Sequence, residues 1–213
     1  MRQAIRYLSW EVRLAVSPWI WLLPVLFAVL RLTGVIWNPG AIGWLIFLEV
    51  VFPLLFPLLA FSLLEREKNQ RTLAVFAATP RRKAGVFLIR YLAVLIPLVL
   101  TVTAAVRPNA YLLLIAPGVL LGGTALFLGL LAGEEMGLGA ALAWWGFSFV
   151  ILQLGGQLFQ HRIFSLFPLM LLGTPLAPQE IINRKWGHLA AGLVFLLLAL
   201  LVAEYKRSWS SRS

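Results

Sequence analysis

The fold is decided by residues 43–83, which read GWLIFLEVVFPLLFPLLAFSLLEREKNQRTLAVFAATPRRK. The first half is apolar over about the 20 residues that a helix needs to cross a bilayer. The second half, residues 65–80, is charged and compatible with a helix, and another apolar run follows it. These residues therefore predict a membrane helix that leads into a short segment exposed to water.

The composition of the whole chain agrees with a membrane protein. Hydrophobic residues make up 61% and charged residues 12%, whereas soluble domains carry about 45–50% and about 25%. We expect one all-α membrane domain over residues 1–213. The chain has no cysteine, which excludes disulfides and thiolate metal sites.

Apolar runs of the required length predict six transmembrane helices. Their ranges are 19–35, 43–64, 86–105, 111–132, 138–156 and 189–203. The fourth span carries Gly118 and Gly122, a pair of small residues that allows close helix packing. Packing within the chain is the better interpretation of this pair than dimerisation.

Basic residues set the orientation, because Lys and Arg accumulate on cytoplasmic loops. With both termini inside, the cytoplasmic residues are Arg2, Arg6, Arg13, Arg66, Lys68, Arg71, Arg81, Arg82, Lys83, Arg90, Lys206, Arg207 and Arg212. The outer residues are Arg31, Arg107, Arg162, Arg184 and Lys185. This excess supports an even number of spans. Lipid contact accounts for the net charge of +10, and we expect no nucleic-acid partner, since no basic stretch lies on a soluble module.

Two segments outside the spans have patterns of their own. Residues 1–17 are predicted to form an amphipathic helix in the cytoplasmic interface, because Pro18 disfavours a plain extension of the first span. Residues 163–172 are apolar but too short to span. We therefore predict a re-entrant or interfacial helical hairpin over residues 157–186 on the outer face, a candidate lid that turns at Gly173, Pro175 and Pro178.

The motifs expected of an enzyme are missing. The sequence has no G-x-x-x-x-G-K-S/T loop and no aspartate to hold magnesium, so we expect no catalytic, cofactor or metal residues. Glu134-Glu135 is similar to the glutamate pair of intramembrane CAAX-type proteases. However, Gly139 stands where that motif has arginine, and both histidines fall at the outer side. We place the pair in a cytoplasmic turn, where it favours the N-terminus of the fifth helix.

Three residues are candidates for a translocation path. Glu49 is the one acidic residue inside a predicted span, and an intramembrane carboxylate is a functional hypothesis by default. The alternatives are snorkelling to the interface or pairing with Arg31. Trp144 and Trp145 are candidates to line a cavity, although packing against lipid or the core is the alternative for both.

The charged segment resembles the coupling helix of a known family. Between its second and third spans, the permease subunit of type-2 ABC exporters has Glu-Arg-Glu, then Gly-Thr-Leu-Glu, a few apolar residues and Thr-Pro. The matching residues here are Glu65-Arg66-Glu67, Thr72-Leu73 and Thr79-Pro80. Arg71 and Ala74 depart from the usual Gly and Glu. The six-span plan, the interfacial helix and the outer hairpin extend the resemblance over the whole chain.

The resemblance implies a mechanism and partners. A coupling helix in residues 65–83 would dock on a separate ATPase, which would hold the ATP and magnesium. Two permeases, identical or homologous, would assemble with two ATPases in a bacterial or archaeal cell membrane. The expected ATPase-coupling residues are Glu65, Arg66, Glu67, Arg71, Thr72, Leu73, Phe76, Thr79 and Pro80. Packing of Phe76 into the chain's own bundle is the alternative to docking.

The expected function is export of an amphipathic or hydrophobic substrate, such as a peptide, lipid or drug, with membrane lipid as a further partner. A permease of haem-associated cytochrome c maturation is a related alternative of similar length. A membrane assembly or scaffold protein is an alternative from a different class, and it predicts no dependence on an ATPase.

Overall fold

The computed structural model describes residues 18–33, 42–69, 83–106, 108–153, 169, 171 and 176–205. This part of the chain is helical, as the composition predicts, and has no β-strand. Its α-helices are α1 (Leu22–Leu32), α2 (Ile42–Val51), α3 (Leu55–Asn69), α4 (Lys83–Ala105), α5 (Tyr111–Ala132), α6 (Glu134–Gln153) and α7 (Pro178–Tyr205).

Four stretches of the described residues are long and apolar enough to cross a membrane. They are Trp44–Glu65, Ala84–Ala105, Tyr111–Ala132 and Pro178–Tyr205. These stretches correspond to the second, third, fourth and sixth predicted spans. Helix α1, of 11 residues, lies within the first predicted span, and helix α6 covers the described part of the fifth. The membrane character is therefore supported, and the number six stays a prediction.

Helix α5 is the centre of the bundle and contacts α3, α6 and α7. Its approach to α7 depends on two glycines. A Cβ on Gly192 would lie 2.7 Å from backbone atoms of Val119 and Leu120, and a Cβ on Gly123 would lie 2.6 Å from the Gly192 carbonyl oxygen. Side chains of any size would separate the helices, so α5 and α7 are in backbone contact because both positions are glycine.

The predicted small-residue pair of α5 packs within the chain. A Cβ on Gly118 would overlap the ring of Phe56 in α3, and a Cβ on Gly122 would lie 3.2 Å from the Phe56 Cβ. One aromatic side chain therefore occupies the space that both glycines leave, and α3 lies close against the centre of the bundle.

A tight turn at Gly133 joins α5 to α6. Gly133 has φ of 114°, a conformation that favours glycine. Helix α6 begins at the next residue, with Glu134 and Glu135 in its first turn. The predicted position of these two carboxylates at the N-terminus of the fifth helix is thus confirmed. There they interact favourably with the positive end of the helix dipole.

The second apolar stretch is a broken helix. A 3-10 turn at Phe52–Leu54 joins α2 to α3, and Pro53 lies inside it. Proline has no N–H and cannot continue the α-helical hydrogen bonds. Beyond the apolar stretch, α3 continues to Asn69, so the helix carries Glu65 and the backbone of the next residues out of the apolar region.

The last helix begins earlier than its apolar run predicts. Helix α7 starts at Pro178 rather than near residue 189, so residues 178–186, assigned to the outer hairpin, belong to it. Proline is favoured in the first turn of a helix, and Glu180 pairs with Arg184 one turn later. These local preferences extend the helix beyond its apolar part.

Several predicted features fall outside the described residues. They are the interfacial helix at 1–17, residues 70–82 of the coupling segment and, in the hairpin, residues 157–168, 170 and 172–175, which include the predicted turn residues Gly173 and Pro175. They stay predictions.

Candidate functional site

The carboxylate of Glu49 is buried and forms an ion pair with a distant lysine. Glu49 lies in α2 and Lys185 lies in α7. The side chains are 1% and 0% exposed, and Lys185 Nζ is 2.5 Å from Glu49 Oε1. Intramembrane charges are expected to pair with one another, and here the pair joins the two helices.

This partner differs from the predicted one. Arg31, the predicted partner of Glu49, instead donates to the carbonyl oxygens of Thr103 and Ala104 in α4, each at 3.4 Å. The reason is the packing of α1, which lies against α4 and holds its exposed C-terminal end there. Snorkelling is also excluded in this structure, because Glu49 is buried.

Backbone groups also bind both charges. Lys185 Nζ donates to the carbonyl oxygen of Leu169 at 2.5 Å, and the backbone N–H of Leu171 donates to Glu49 Oε1 at 3.0 Å. Both backbone groups belong to the segment between α6 and α7. The two charges therefore hold three parts of the chain together: α2, α7 and this connecting segment.

The surroundings of the pair decide what it does. Removing one member of a buried ion pair costs about 3–5 kcal/mol, because the other charge stays buried without compensation. The intact pair contributes little net stability, because the attraction between the charges is offset by the cost of taking both of them out of water. We therefore expect the pair to set where the three parts meet more than to add to the overall stability.

Trp145 lies beside this ion pair. Its Nε1 donates to the carbonyl oxygen of Val50 at 2.8 Å, one residue after Glu49. Pro53 cannot donate to that carbonyl in the 3-10 turn, so the indole supplies a hydrogen bond. Trp145 also stacks on Phe149 at a ring separation of 5.9 Å. The structure therefore brings Glu49 and Trp145, two predicted path residues, to one place.

Trp144, the third predicted path residue, lines a cavity. The cavity has a volume of about 450 Å³ and lies between α5, α6 and α7. Its lining residues are Leu120, Trp144, Glu180, Asn183, Arg184, Gly187, His188 and Ala191. We call this space the α6–α7 groove. It is polar along the first turns of α7 and apolar deeper in.

A second polar contact binds the other end of α7. The carboxylate of Glu204 accepts a hydrogen bond from the backbone N–H of Ala84 at 2.9 Å. Ala84 is in the first turn of α4, where N–H groups have no partner within the helix. Since α4 begins where the predicted coupling segment ends, Glu204 fixes the point at which that segment rejoins the bundle.

The ATPase-coupling residues are described only at their start. Glu65 is an exposed residue of α3, and the backbone at Arg66 and Glu67 continues that helix. The other predicted coupling residues, Arg71, Thr72, Leu73, Phe76, Thr79 and Pro80, lie outside the described residues. The helical exit at Glu65-Arg66-Glu67 agrees with the expected continuation of the second span.

Sequence reasoning misses Lys185. Lys185 is predicted to be an outer-loop charge, because Pro178 is assigned to a turn. The useful signals were Pro178 as a first-turn proline and the Glu180–Arg184 spacing, which together extend α7 past Lys185. With that extension, Lys185 lies on the helix of the sixth predicted span, where a cation would need an anion. Glu49 is the one acidic residue within the predicted spans.

Comparison with known proteins gives no match. No protein-family model, no curated protein and no solved structure matches this chain. Among the described residues, no group of three or more metal-ligating side chains is placed to hold a metal ion.

Proposed function

We propose that this chain is the membrane-spanning subunit of an ATP-driven exporter of the type-2 ABC kind. The observation that carries the proposal is a sequence motif. Glu65-Arg66-Glu67, Thr72-Leu73 and Thr79-Pro80 follow one another in the family's order, between two stretches apolar enough to cross a membrane. The proposed cargo is an amphipathic or hydrophobic molecule such as a peptide, lipid or drug, moved out of the cytoplasm.

The helices on either side of the charged segment support this role. Helix α3 leaves the apolar region as a helix and continues to Asn69, and α4 begins at Lys83. A segment that connects two packed helices directly can transmit a partner's movement to those helices, whereas a segment attached through a flexible linker cannot. The Glu204 carboxylate adds a fixed point at the start of α4.

In the proposed transporter, six spans place both termini in the cytoplasm, and two permeases share two ATPases. The ATPases hold ATP and magnesium. Closure of the ATPases draws the two coupling helices together and favours one of two permease states, a hinge-type motion driven by differential nucleotide binding. Leu73 and Phe76 are the proposed docking anchors, with Arg66, Glu67 and Arg71 as polar contacts.

Co-purification with the ATPase encoded beside this gene tests the proposal. We expect wild type and Phe76→Leu to bring down the ATPase. Phe76→Asp should lose it, because a charge in an apolar docking groove is costly. Circular dichroism of each purified membrane chain reports folding separately. An ATPase that fails to associate with the folded wild-type chain under any nucleotide condition would overturn the proposal in favour of a scaffold protein.

A further inference from the structure

The α6–α7 groove has the size and polarity of a lipid site. Its volume of about 450 Å³ falls in the range of about 300–1,000 Å³ that is typical of small-molecule sites. The lining is a stripe along α7, in which Glu180, Arg184, His188 and Ala191 follow one another at helical spacing. Between Glu180 and Ala191 the stripe extends about 16 Å at 1.5 Å per residue.

The polarity of the groove changes along the helix in the sense of a bilayer. Charged and amide side chains line the end near the start of α7, where Glu180, Asn183 and Arg184 lie. Leu120 and Ala191 line the other end. A ligand that matches both ends has a polar head and an apolar tail, which is the arrangement of a membrane lipid.

The charges of the polar end indicate the head group. The guanidinium of Arg184 pairs with Glu180, whose side chain is 48% exposed, whereas that of Arg184 is only 16% exposed. An i,i+4 helix pair with one exposed partner contributes little stability, so a ligand phosphate can compete with the Glu180 carboxylate for the guanidinium. A phosphate can bind the guanidinium fork in the same bidentate way as a carboxylate does.

We propose that the α6–α7 groove binds one phosphate-headed lipid, with its phosphate at Arg184 and its acyl chain along Leu120, Trp144 and Ala191. Such binding needs no ATPase, and it holds or fails independently of the proposed transport function. The indole of Trp144 contributes an apolar wall of the groove.

A larger side chain at Gly187 would block the groove. A Cβ at Gly187 would meet nothing within 4 Å, and Gly187 lines the groove. Gly187→Leu therefore fills the groove without a steric clash at the Cβ. Gly139 in α6 also has open space around it and does not line the groove, so Gly139→Leu is the matched control. Both changes replace a helical glycine by a better helix former.

Native mass spectrometry of the purified chain in mild detergent tests the proposal. The added probes are dioleoyl phosphatidylethanolamine, dioleoyl phosphatidylglycerol and dioleoylglycerol, which lacks phosphate. We expect one phospholipid bound per chain in wild type and Gly139→Leu, at least tenfold more tightly than dioleoylglycerol. Gly187→Leu should lose the phospholipid, and Arg184→Gln should bind it no better than dioleoylglycerol.

Two results would overturn the lipid site. One is equal phospholipid retention by Gly187→Leu and wild type, which means that the lipid binds elsewhere. The other is equal binding of dioleoylglycerol and the phospholipids to wild type, which means that no phosphate is recognised. A comparison of the thermal unfolding of all variants keeps loss of binding apart from loss of folding, and Arg184→Gln serves as the second variant if Gly187→Leu unfolds.

Discussion

The two ends of α7 are both held by a polar contact, but the contacts differ in kind. At one end, Lys185 and Glu49 are two full charges with almost no exposure. At the other end, the partly buried Glu204 carboxylate accepts one backbone hydrogen bond from Ala84. The first contact fixes its partners firmly, because separating buried charges is costly. The second resembles a helix cap and is weaker.

This difference has a consequence for motion. The contacts lie about 28 Å apart along the helix at 1.5 Å per residue. The strong contact holds α2, and the weaker one holds α4, which begins where the charged segment ends. If α7 moves with respect to its neighbours, we expect the hydrogen bond between Glu204 and Ala84 to break before the ion pair does.

The largest expected effect comes from breaking the ion pair on one side. Lys185→Met leaves the Glu49 carboxylate buried without its cation, and it should lower the free energy of unfolding by about 3–5 kcal/mol. The measurement is unfolding by SDS in mixed micelles, followed by circular dichroism. The double variant Glu49→Gln/Lys185→Met keeps an acceptor for the Leu171 N–H and removes both charges. It should recover most of the loss, and a double variant as unstable as the single one would contradict a true ion pair.

The next effect lies between the two ends, where α7 touches α5. Gly192→Ala places a methyl group 2.7 Å from the α5 backbone, so the helices must separate, at a cost of roughly 1–3 kcal/mol. Gly187→Ala, on the same helix but in open space, should cost nothing or stabilise slightly. Equal stability of the two variants in the same SDS titration would show that α5 and α7 are not in backbone contact.

A smaller effect is expected beside the ion pair. Trp145→Phe keeps an aromatic ring for Phe149 but removes the donor to the Val50 carbonyl, and it should cost about 0.5–1.5 kcal/mol. Trp186→Phe, at a residue that is 57% exposed, is the control and should stay within about 0.5 kcal/mol of wild type. If both substitutions have the same effect, the Trp145 hydrogen bond does not stabilise the helix break.

The smallest effect is expected at the Glu204 end. Glu204→Ala removes the acceptor for the Ala84 N–H and should cost about 0.5–1 kcal/mol. Glu204→Gln keeps an oxygen acceptor and should cost less, since it loses only the attraction between the charge and the helix dipole. A loss at Glu204 as large as that at Lys185 would remove the contrast between the two ends.

Much of this architecture follows from local sequence features. The second, third, fourth and sixth spans are predictable because a bilayer sets one length for an apolar helix. The turn at Gly133 with Glu134 and Glu135 after it is also local. The pairing of Glu49 with Lys185 is not, because 136 residues separate the two positions and several basic residues could have supplied the cation.

The helix boundaries show the same limit. The start of α7 at Pro178 was visible in the sequence, but proline also favours turns, and the two readings compete. The site of the break at Phe52–Leu54 is signalled by Pro53, whereas the hydrogen bond from Trp145 to Val50 depends on how α6 packs against α2. Contacts of this kind arise from tertiary packing and have no local signature.

The most direct test of the proposed function is photocrosslinking at the coupling segment in membranes. A photoreactive phenylalanine at Phe76 probes the predicted docking position, and one at Phe47, which is 54% exposed on α2, is the control on the apolar surface. We expect Phe76 to crosslink to the neighbouring-gene ATPase, with a yield that changes with nucleotide, and Phe47 to give no such product. Crosslinks from Phe76 only to this chain itself would place that ring in its own bundle and contradict the proposed function.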